Sequence, residues 1–432
     1  MKTQLNRRDL LKALGAGSAL TLAGCAATEQ QAAAPQKKLG RVIVVGAGYG
    51  GATAAKYIRM WSGGAIDVTL VERSPQFVSC PISNLVIGGS RKIEDVTRDY
   101  WGLREYGVQV IIDEVTGVDP VKKTLQLRKI QDLRYDKLVI APGVDFLFDQ
   151  VKGLDAKAQE RFLHAWKAGP QTVALRKQLE DMADGGVYAI TIPRAPYRCP
   201  PGPYERACQV AWYFKHNKPK SKVIILDANE DVQSKKGLFM RAWNNDYKGL
   251  IEYRPNWNAS ELDAAGSTII SDVGDKLKAD VLNIVPPQRA GDIAQRAGLI
   301  NANNRWCQVD WTSMESTAQK DIHVIGDALL AAPAMPKSGH MANQHGKAAA
   351  AGIVEMMNGR TPAPLTMANT CYSFIDDKRV VHVASVHRYD AAQKTMVALP
   401  IAQGPALSSE ANELEGVYAW SWAQTIWNDM LT

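Results

Sequence analysis

The chain has 432 residues, of which 46% are hydrophobic and 22% charged. This composition is globular and too long for one ordinary core; it excludes a disordered chain, and six cysteines are too few for a disulfide scaffold. The formal charge is +7, and removing the +3 of the first 24 residues (four basic side chains against Asp9) leaves +4, too mild a balance to point to nucleic acid.

Residues 6–12 read Asn-Arg-Arg-Asp-Leu-Leu-Lys and lead into an apolar, Gly/Ala-rich run ending Leu22-Ala23-Gly24-Cys25. A membrane span needs roughly 20 apolar residues. This shorter run behind a basic start predicts an export signal over 1–25. The twin arginine resembles a Tat signal, a route to the periplasm for proteins already folded around a cofactor. Leu-Ala-Gly-Cys also resembles a lipobox, which would make Cys25 the lipidated first residue and a membrane tether; an ordinary cleavage region is the plain alternative. Residues 26–39 predict a flexible linker.

Arg41-Val42-Ile43-Val44-Val45 predicts a buried strand. It runs into Gly46-Ala47-Gly48-Tyr49-Gly50-Gly51 and then a helical stretch. Gly46, Gly48 and Gly51 thus form a G-x-G-x-x-G turn between strand and helix, where a pyrophosphate meets a helix N-terminus. A second strand, Asp67–Val71, ends in Glu72 and Arg73; an acid at this distance is expected on a ribose. Tyr135–Gly143 resembles the strand and turn that close an FAD half-domain, ending at Gly143. Ile322–Ala328 is a strand ending in Gly326-Asp327, resembling the late flavin motif of flavoproteins with two dinucleotide domains. Together the three segments predict FAD.

A second glycine fingerprint is expected in mid-chain. The strand after Gly185-Gly186 runs instead into Pro193 and Pro196, and proline has no N–H to donate to a phosphate. The middle segment therefore predicts a dinucleotide fold without its ligand, and an electron route other than NAD(P)H.

Cys80 precedes Pro81, which keeps it extended; it reads as a redox thiol, a covalent flavin link or a structural thiol. Cys199 stands before Pro200-Pro201-Gly202-Pro203 on a rigid loop, with Arg198 beside it. Cys371 follows about 170 residues later. The two read equally as a redox pair, a structural bridge or free thiols. Cys208 and Cys307 read as buried. No cysteine or histidine cluster has zinc or haem-attachment spacing, so no metal is expected on this chain and any haem belongs to a partner. His382, on a strand-like run, reads as structural rather than as a proton carrier, and His387 is its alternative. Lys337 reads as a source of positive field for an anion or as an ordinary loop lysine.

From residue 40 to the C-terminus the chain resembles the flavoprotein subunit of flavocytochrome c sulfide dehydrogenase. The resemblance rests on Gly50–Ile58, the Cys80 loop, His164–Gly169, Arg198–Ala207, Pro286–Gly291, Pro336–Gly339 and Asn369–Ser373. It implies an α/β, glutathione-reductase-like flavoprotein with two dinucleotide domains and a small C-terminal α+β domain. The expected parts are an FAD domain (40–155 and 290–360), a second Rossmann-like domain without an NAD fingerprint (156–289) and a cytochrome-interface domain (361–432) built on a small mixed sheet. The family implies Cys80 joined to the flavin, Cys199 and Cys371 as the redox-active disulfide, Trp422 near the flavin, and a c-type cytochrome subunit that takes electrons drawn from sulfide. The chain departs from the family at Pro81, where a tyrosine is expected, and at Cys208, where a small hydroxyl residue is expected and a Cys199–Cys208 mispair becomes conceivable. Competing expectations are a membrane-tethered sulfide:quinone oxidoreductase and a non-catalytic FAD-binding electron-transfer subunit.

Overall fold

The structure, a computed structural model, describes residues 37–400 and 406–432. The export signal, the lipobox with Cys25 and most of the linker lie outside the described residues.

Strand β1 (Gly40–Val45) buries Val42, Ile43, Val44 and Val45 in succession, as a central parallel strand covered on both faces does. The chain turns at Gly46 into helix α1 (Tyr49–Trp61) and returns in β2 (Ile66–Glu72), which pairs parallel with β1. Strands β3 (Gln109–Ile112) and β4 (Lys137–Ile140) extend the sheet on either side. Val144–Phe146 then pairs antiparallel with Gln288–Ala290. The chain therefore leaves the first sheet and comes back to it side by side.

Between those crossings lies a second parallel sheet of β5 (Val187–Ile192), β6 (Lys222–Asp227), β7 (Ile251–Arg254) and β8 (Val281–Ile284), in the order β7-β6-β5-β8. Helix α2 (Gly202–Asn217) follows β5 and is buried along most of its length. Strand β9 (Ile322–Val324) then adds to β4, completing the first sheet as β9-β4-β1-β2-β3. Helix α3 (Gly339–Met357) packs on α1 at a glycine contact: a Cβ at Gly346 would lie 2.5 Å from the carbonyl of Gly50.

The last sheet is β10 (Met367–Phe374), β11 (Val380–Asp390) and β12 (Thr395–Leu399), paired antiparallel throughout rather than mixed as expected. Short connections suffice between antiparallel neighbours, whereas a parallel pair needs a crossover of a dozen or more residues. Helix α4 (Glu413–Leu431) closes the chain, burying Ala419, Ala423, Ile426, Trp427 and Met430 at helical spacing. Asn412 caps it by accepting from the Glu415 amide at 2.8 Å. Among the described residues no helix is long and apolar enough to cross a membrane.

Candidate active site

A cavity of about 450 Å³ opens where the three sheets meet. Of the residues expected at a dinucleotide, Gly46, Gly48, Glu72, Arg73, Gly143, Gly326 and Asp327 line it. So do Cys80, Cys199, Cys371 and Trp422.

Gly51 and Lys337 do not line it. A Cβ on Gly51 would sit 1.8 Å from the carbonyl of Gly46, so this glycine lets α1 close onto β1 rather than facing a ligand. Gly48, by contrast, has nothing within 4 Å of a built Cβ. Glu72 braces the turn: its carboxylate accepts from the amides of Ala47 at 2.7 Å and Ser74 at 2.9 Å. Asp327 sits in a short 3-10 turn, its carboxyl raised by burial against the pull of Arg198 and Lys337.

Lys337 is a correction to the expected anion-facing cation. Its main-chain carbonyl accepts from the amide of Cys199 at 2.8 Å. Its ammonium turns the other way, donating to the carbonyls of Asp327, at 2.9 Å, and Leu329, and lying 3.7 Å from the centre of the Trp306 ring. Burial lowers its pKa to about 7.

Cys199 adopts φ 60°, the left-handed region that a non-glycine residue enters only when its surroundings hold it there. Four contacts hold the loop. The Cys199 amide bonds Lys337, the Arg198 amide donates to Gln288 at 2.9 Å, the Trp166 indole donates to the Arg198 carbonyl at 3.0 Å, and the Gly202 amide returns to the Cys199 carbonyl at 2.9 Å. A Cβ on Gly202 would lie 2.8 Å from the Cys199 sulfur, so this glycine admits the thiol to the start of α2. Burial pushes the Cys199 thiol well up, and Glu205 and Cys371 add to the rise.

Cys371 reaches the same cavity from β10, where its sulfur lies 3.4 Å from the side-chain nitrogen of Asn369. All the described cysteines, including this pair, are free thiols here. Cys80 accepts from the Ala168 amide at 3.4 Å. Cys208 is buried in the second turn of α2 and accepts from the Trp243 indole at 3.3 Å, a partner of its own away from Cys199. Cys307 is also fully buried. Among the described residues the buried Trp422 indole N–H has no partner, and its ring lies 6.1 Å from that of Tyr372. His382 binds Glu415 at 2.9 Å, tying β11 to the start of α4, and His387 is fully buried on the same strand.

Several site residues have roles that the sequence analysis did not assign. Glu205 is buried, its carboxylate accepting from the Phe374 amide at 3.0 Å and the Asn84 side chain at 3.1 Å, and burial raises its pKa. Arg206 is also buried and bonds Asn84, Asn283 and the carbonyls of His164 and Ala165. Adjacent charges inside the otherwise apolar first turns of α2 were the available clue. Lys167 lines the cavity and pairs with Asp145 at 2.8 Å. His164 is held neutral, lowered to about 3 by burial and by Lys167, Arg198 and Arg206. Lys235 lies behind Cys371.

The middle sheet has the acid that would meet a ribose, Asp227 at the end of β6, but its carboxylate is already taken. Tyr204 donates to it at 2.7 Å, Tyr253 at 3.1 Å and Asn229 at 2.7 Å. Pro193 follows β5, where a proline has no N–H to offer a phosphate.

The first sheet fits a flavin dinucleotide on its own residues: an open glycine turn, an acid at the end of β2, a Gly-Asp turn after β9 and an unpartnered indole N–H in the same cavity. Fold and site define a flavoprotein of the pyridine nucleotide-disulphide oxidoreductase class, whose family model matches residues 40–181. The models for the central domain of the sulfide dehydrogenase (flavocytochrome c) flavoprotein chain and for the flavocytochrome c sulphide dehydrogenase flavin-binding domain match residues 172–286 and 362–431. The chain belongs to the family of flavocytochrome c sulfide dehydrogenase flavoprotein chains.

A stretch of 46 residues is 56% identical to the sulfide dehydrogenase flavoprotein chain of Chlorobaculum thiosulfatiphilum, covering 11% of this chain and 94% of that sequence. The mitochondrial sulfide:quinone oxidoreductase of Mus musculus is 24% identical over 66% of this chain, and the match spans 65% of its own length. That of Dictyostelium discoideum is 22% identical over 67% of this chain and 66% of its own. Among solved structures, the sulfide:quinone oxidoreductase of Aquifex aeolicus superposes with a TM-score of 0.73 at 18% identity, over 90% of this chain and 91% of that one. At that identity the likeness is one of fold.

Proposed function

We propose that this chain oxidises hydrosulfide to sulfur or polysulfide through a Cys199–Cys371 disulfide and an FAD linked to Cys80, and delivers the electrons to a c-type cytochrome subunit that carries the haem. The observation that carries this reading is the meeting of Cys80, Cys199 and Cys371, from remote parts of the chain, on the wall of the cavity that also holds the glycine turn. The family assignment and the names of the relatives support the same substrate class.

Gly46 and Gly48 at the start of α1 would hold the pyrophosphate, Glu72 a ribose, and Gly326-Asp327 the ribityl side. Bound there, the flavin supplies a two-electron acceptor that can release electrons singly. Arg198, beside Cys199, gives the positive field that draws a small anion inward. In the oxidised pair the hydrosulfide sulfur bonds to one cysteine as the disulfide breaks, leaving a persulfide, while the other cysteine departs as a thiolate. Glu205 lines the same wall and accepts the proton, its affinity for one raised by burial. Each hydrosulfide that becomes zero-valent sulfur gives up one proton and two electrons.

Helix α4, which contributes Trp422 to the cavity, exposes Leu414, Val417 and Tyr418, an apolar strip suited to a docked partner. Residues 1–25 would bring the chain to the periplasm, with Cys25 as a membrane tether. A quinone acceptor is the second reading, favoured by the mitochondrial relatives.

Anaerobic sulfide added to the purified flavoprotein should bleach its visible band, and added cytochrome c should restore it. Recovery with quinone alone moves the assignment to a sulfide:quinone oxidoreductase. No bleaching with FAD intact overturns sulfide oxidation and leaves a non-catalytic electron-transfer subunit.

A further inference from the structure

Lys235 belongs to the middle domain, yet its side chain ends in the C-terminal sheet. Its ammonium donates to the carbonyl of Cys371 at 2.8 Å, to the hydroxyl of Ser373 at 2.8 Å and to the carbonyl of Val381 at 3.3 Å. The residue is 6% exposed, and its left-handed backbone, φ 55°, stands just ahead of the helix Lys236–Asn245. Lysine has no intrinsic preference for that conformation, so the surroundings hold it there.

All three acceptors are neutral. A buried ammonium with only neutral acceptors is costly unless a nearby anion balances it. The titratable groups facing Lys235 are Cys371 on β10, Glu205 on α2, Cys199 in the loop before α2 and Glu415 on α4. Of these, Cys371 is the strongest influence on it, ahead of Glu205. The two cysteines therefore differ in setting: Cys199 is buried against Glu205, and Cys371 has an ammonium bonded to its own carbonyl.

We propose that Lys235 is a positioning residue of the cysteine pair, fixing the main chain at Cys371 and supplying the positive charge that stabilises an anionic sulfur there, as thiolate or as persulfide. A neighbouring lysine is a recognised means of holding a cysteine in its thiolate form. The proposal deepens the sulfide-oxidation reading and rests on it for its biological meaning, but its chemistry is a property of the thiol itself. Burial brings the Lys235 pKa to about 8, so the charge is present at neutral pH and fades above that value.

The test is the pH dependence of iodoacetamide labelling at Cys371 in the reduced, flavin-loaded full chain, read by peptide mass mapping. In Lys235→Met the midpoint should rise by a pH unit or more, with labelling at pH 7 about tenfold slower, and Lys235→Arg should restore most of the loss. A folded Lys235→Met that labels with the wild-type profile overturns the proposal. Sulfide bleaching in the same samples separates the two claims: wild-type protein that does not bleach, together with a shifted Lys235→Met profile, removes the functional reading and upholds Lys235.

Discussion

The amide of Cys199 donates to the main-chain carbonyl of Lys337 at 2.8 Å, while the ammonium of that lysine holds the carbonyl of Asp327 at 2.9 Å. One residue thus ties the cysteine loop to the Gly326-Asp327 turn. Lys337→Met keeps the first bond and removes the second. Leaving buried carbonyls unpaired costs about 1–3 kcal/mol, so the melting temperature and FAD retention should both fall while labelling of Cys199 and Cys371 stays as in wild type. Calorimetry with flavin absorbance checks this, and an unchanged flavin content would count against it.

Gly51 and Gly48 should respond in opposite ways to the same added methyl group. At Gly51 it would lie 1.8 Å from a backbone oxygen that cannot move away; at Gly48 it meets nothing within 4 Å. Gly51→Ala should unfold the first sheet or cost several kcal/mol, a range that overpacking of a close backbone contact reaches. Gly48→Ala should fold normally and bind FAD more weakly. Circular dichroism and flavin binding distinguish the two.

Cys80 should keep the flavin with the polypeptide after unfolding. Acid precipitation of the wild-type protein should leave the yellow colour in the pellet, and Cys80→Ser should release it to the supernatant. Colour in the wild-type supernatant would show that no covalent bond is made.

Among the histidines lowered by burial, His345 and His323 set an acid limb on stability. Burial lowers His345 to about 3 and His323 to about 4 from their ordinary 6.5, so both fold as neutral rings. The unfolded chain binds the protons first as pH falls, so this stability is complete above 6.5 and is lost progressively toward pH 3–4. One unit below 6.5 each histidine costs about 1.4 kcal/mol. Denaturant melts between pH 7 and pH 5 should show the decline, and His345→Gln should flatten it.

The parts legible in the sequence were those whose chemistry is written in consecutive residues. The Gly46–Gly51 turn, Glu72 at a strand end, Gly326-Asp327 and the prolines after β5 each announce a local backbone geometry. What stayed hidden depends on burial by remote segments. Lys235 sits in a stretch, Ser234-Lys235-Lys236-Gly237, that reads as solvated surface, and only the C-terminal sheet folding over it makes it internal. Asn84, Glu205 and Arg206 became a network because α2 meets the Cys80 loop. Lys337, beside Ser338-Gly339, reads either as a source of positive field or as an ordinary loop lysine, because sequence position fixes where its backbone lies and not which way a long side chain turns.

The central claim is that Cys199 and Cys371 form the sulfide-oxidising pair, and the most direct measurement is a peptide map of the flavoprotein before and after one equivalent of sulfide without oxygen. The oxidised protein should yield a peptide linking Cys199 to Cys371, which disappears on sulfide addition while one of the two gains the mass of a single sulfur atom. A protein that oxidises sulfide with both cysteines unlinked and unmodified would contradict the account.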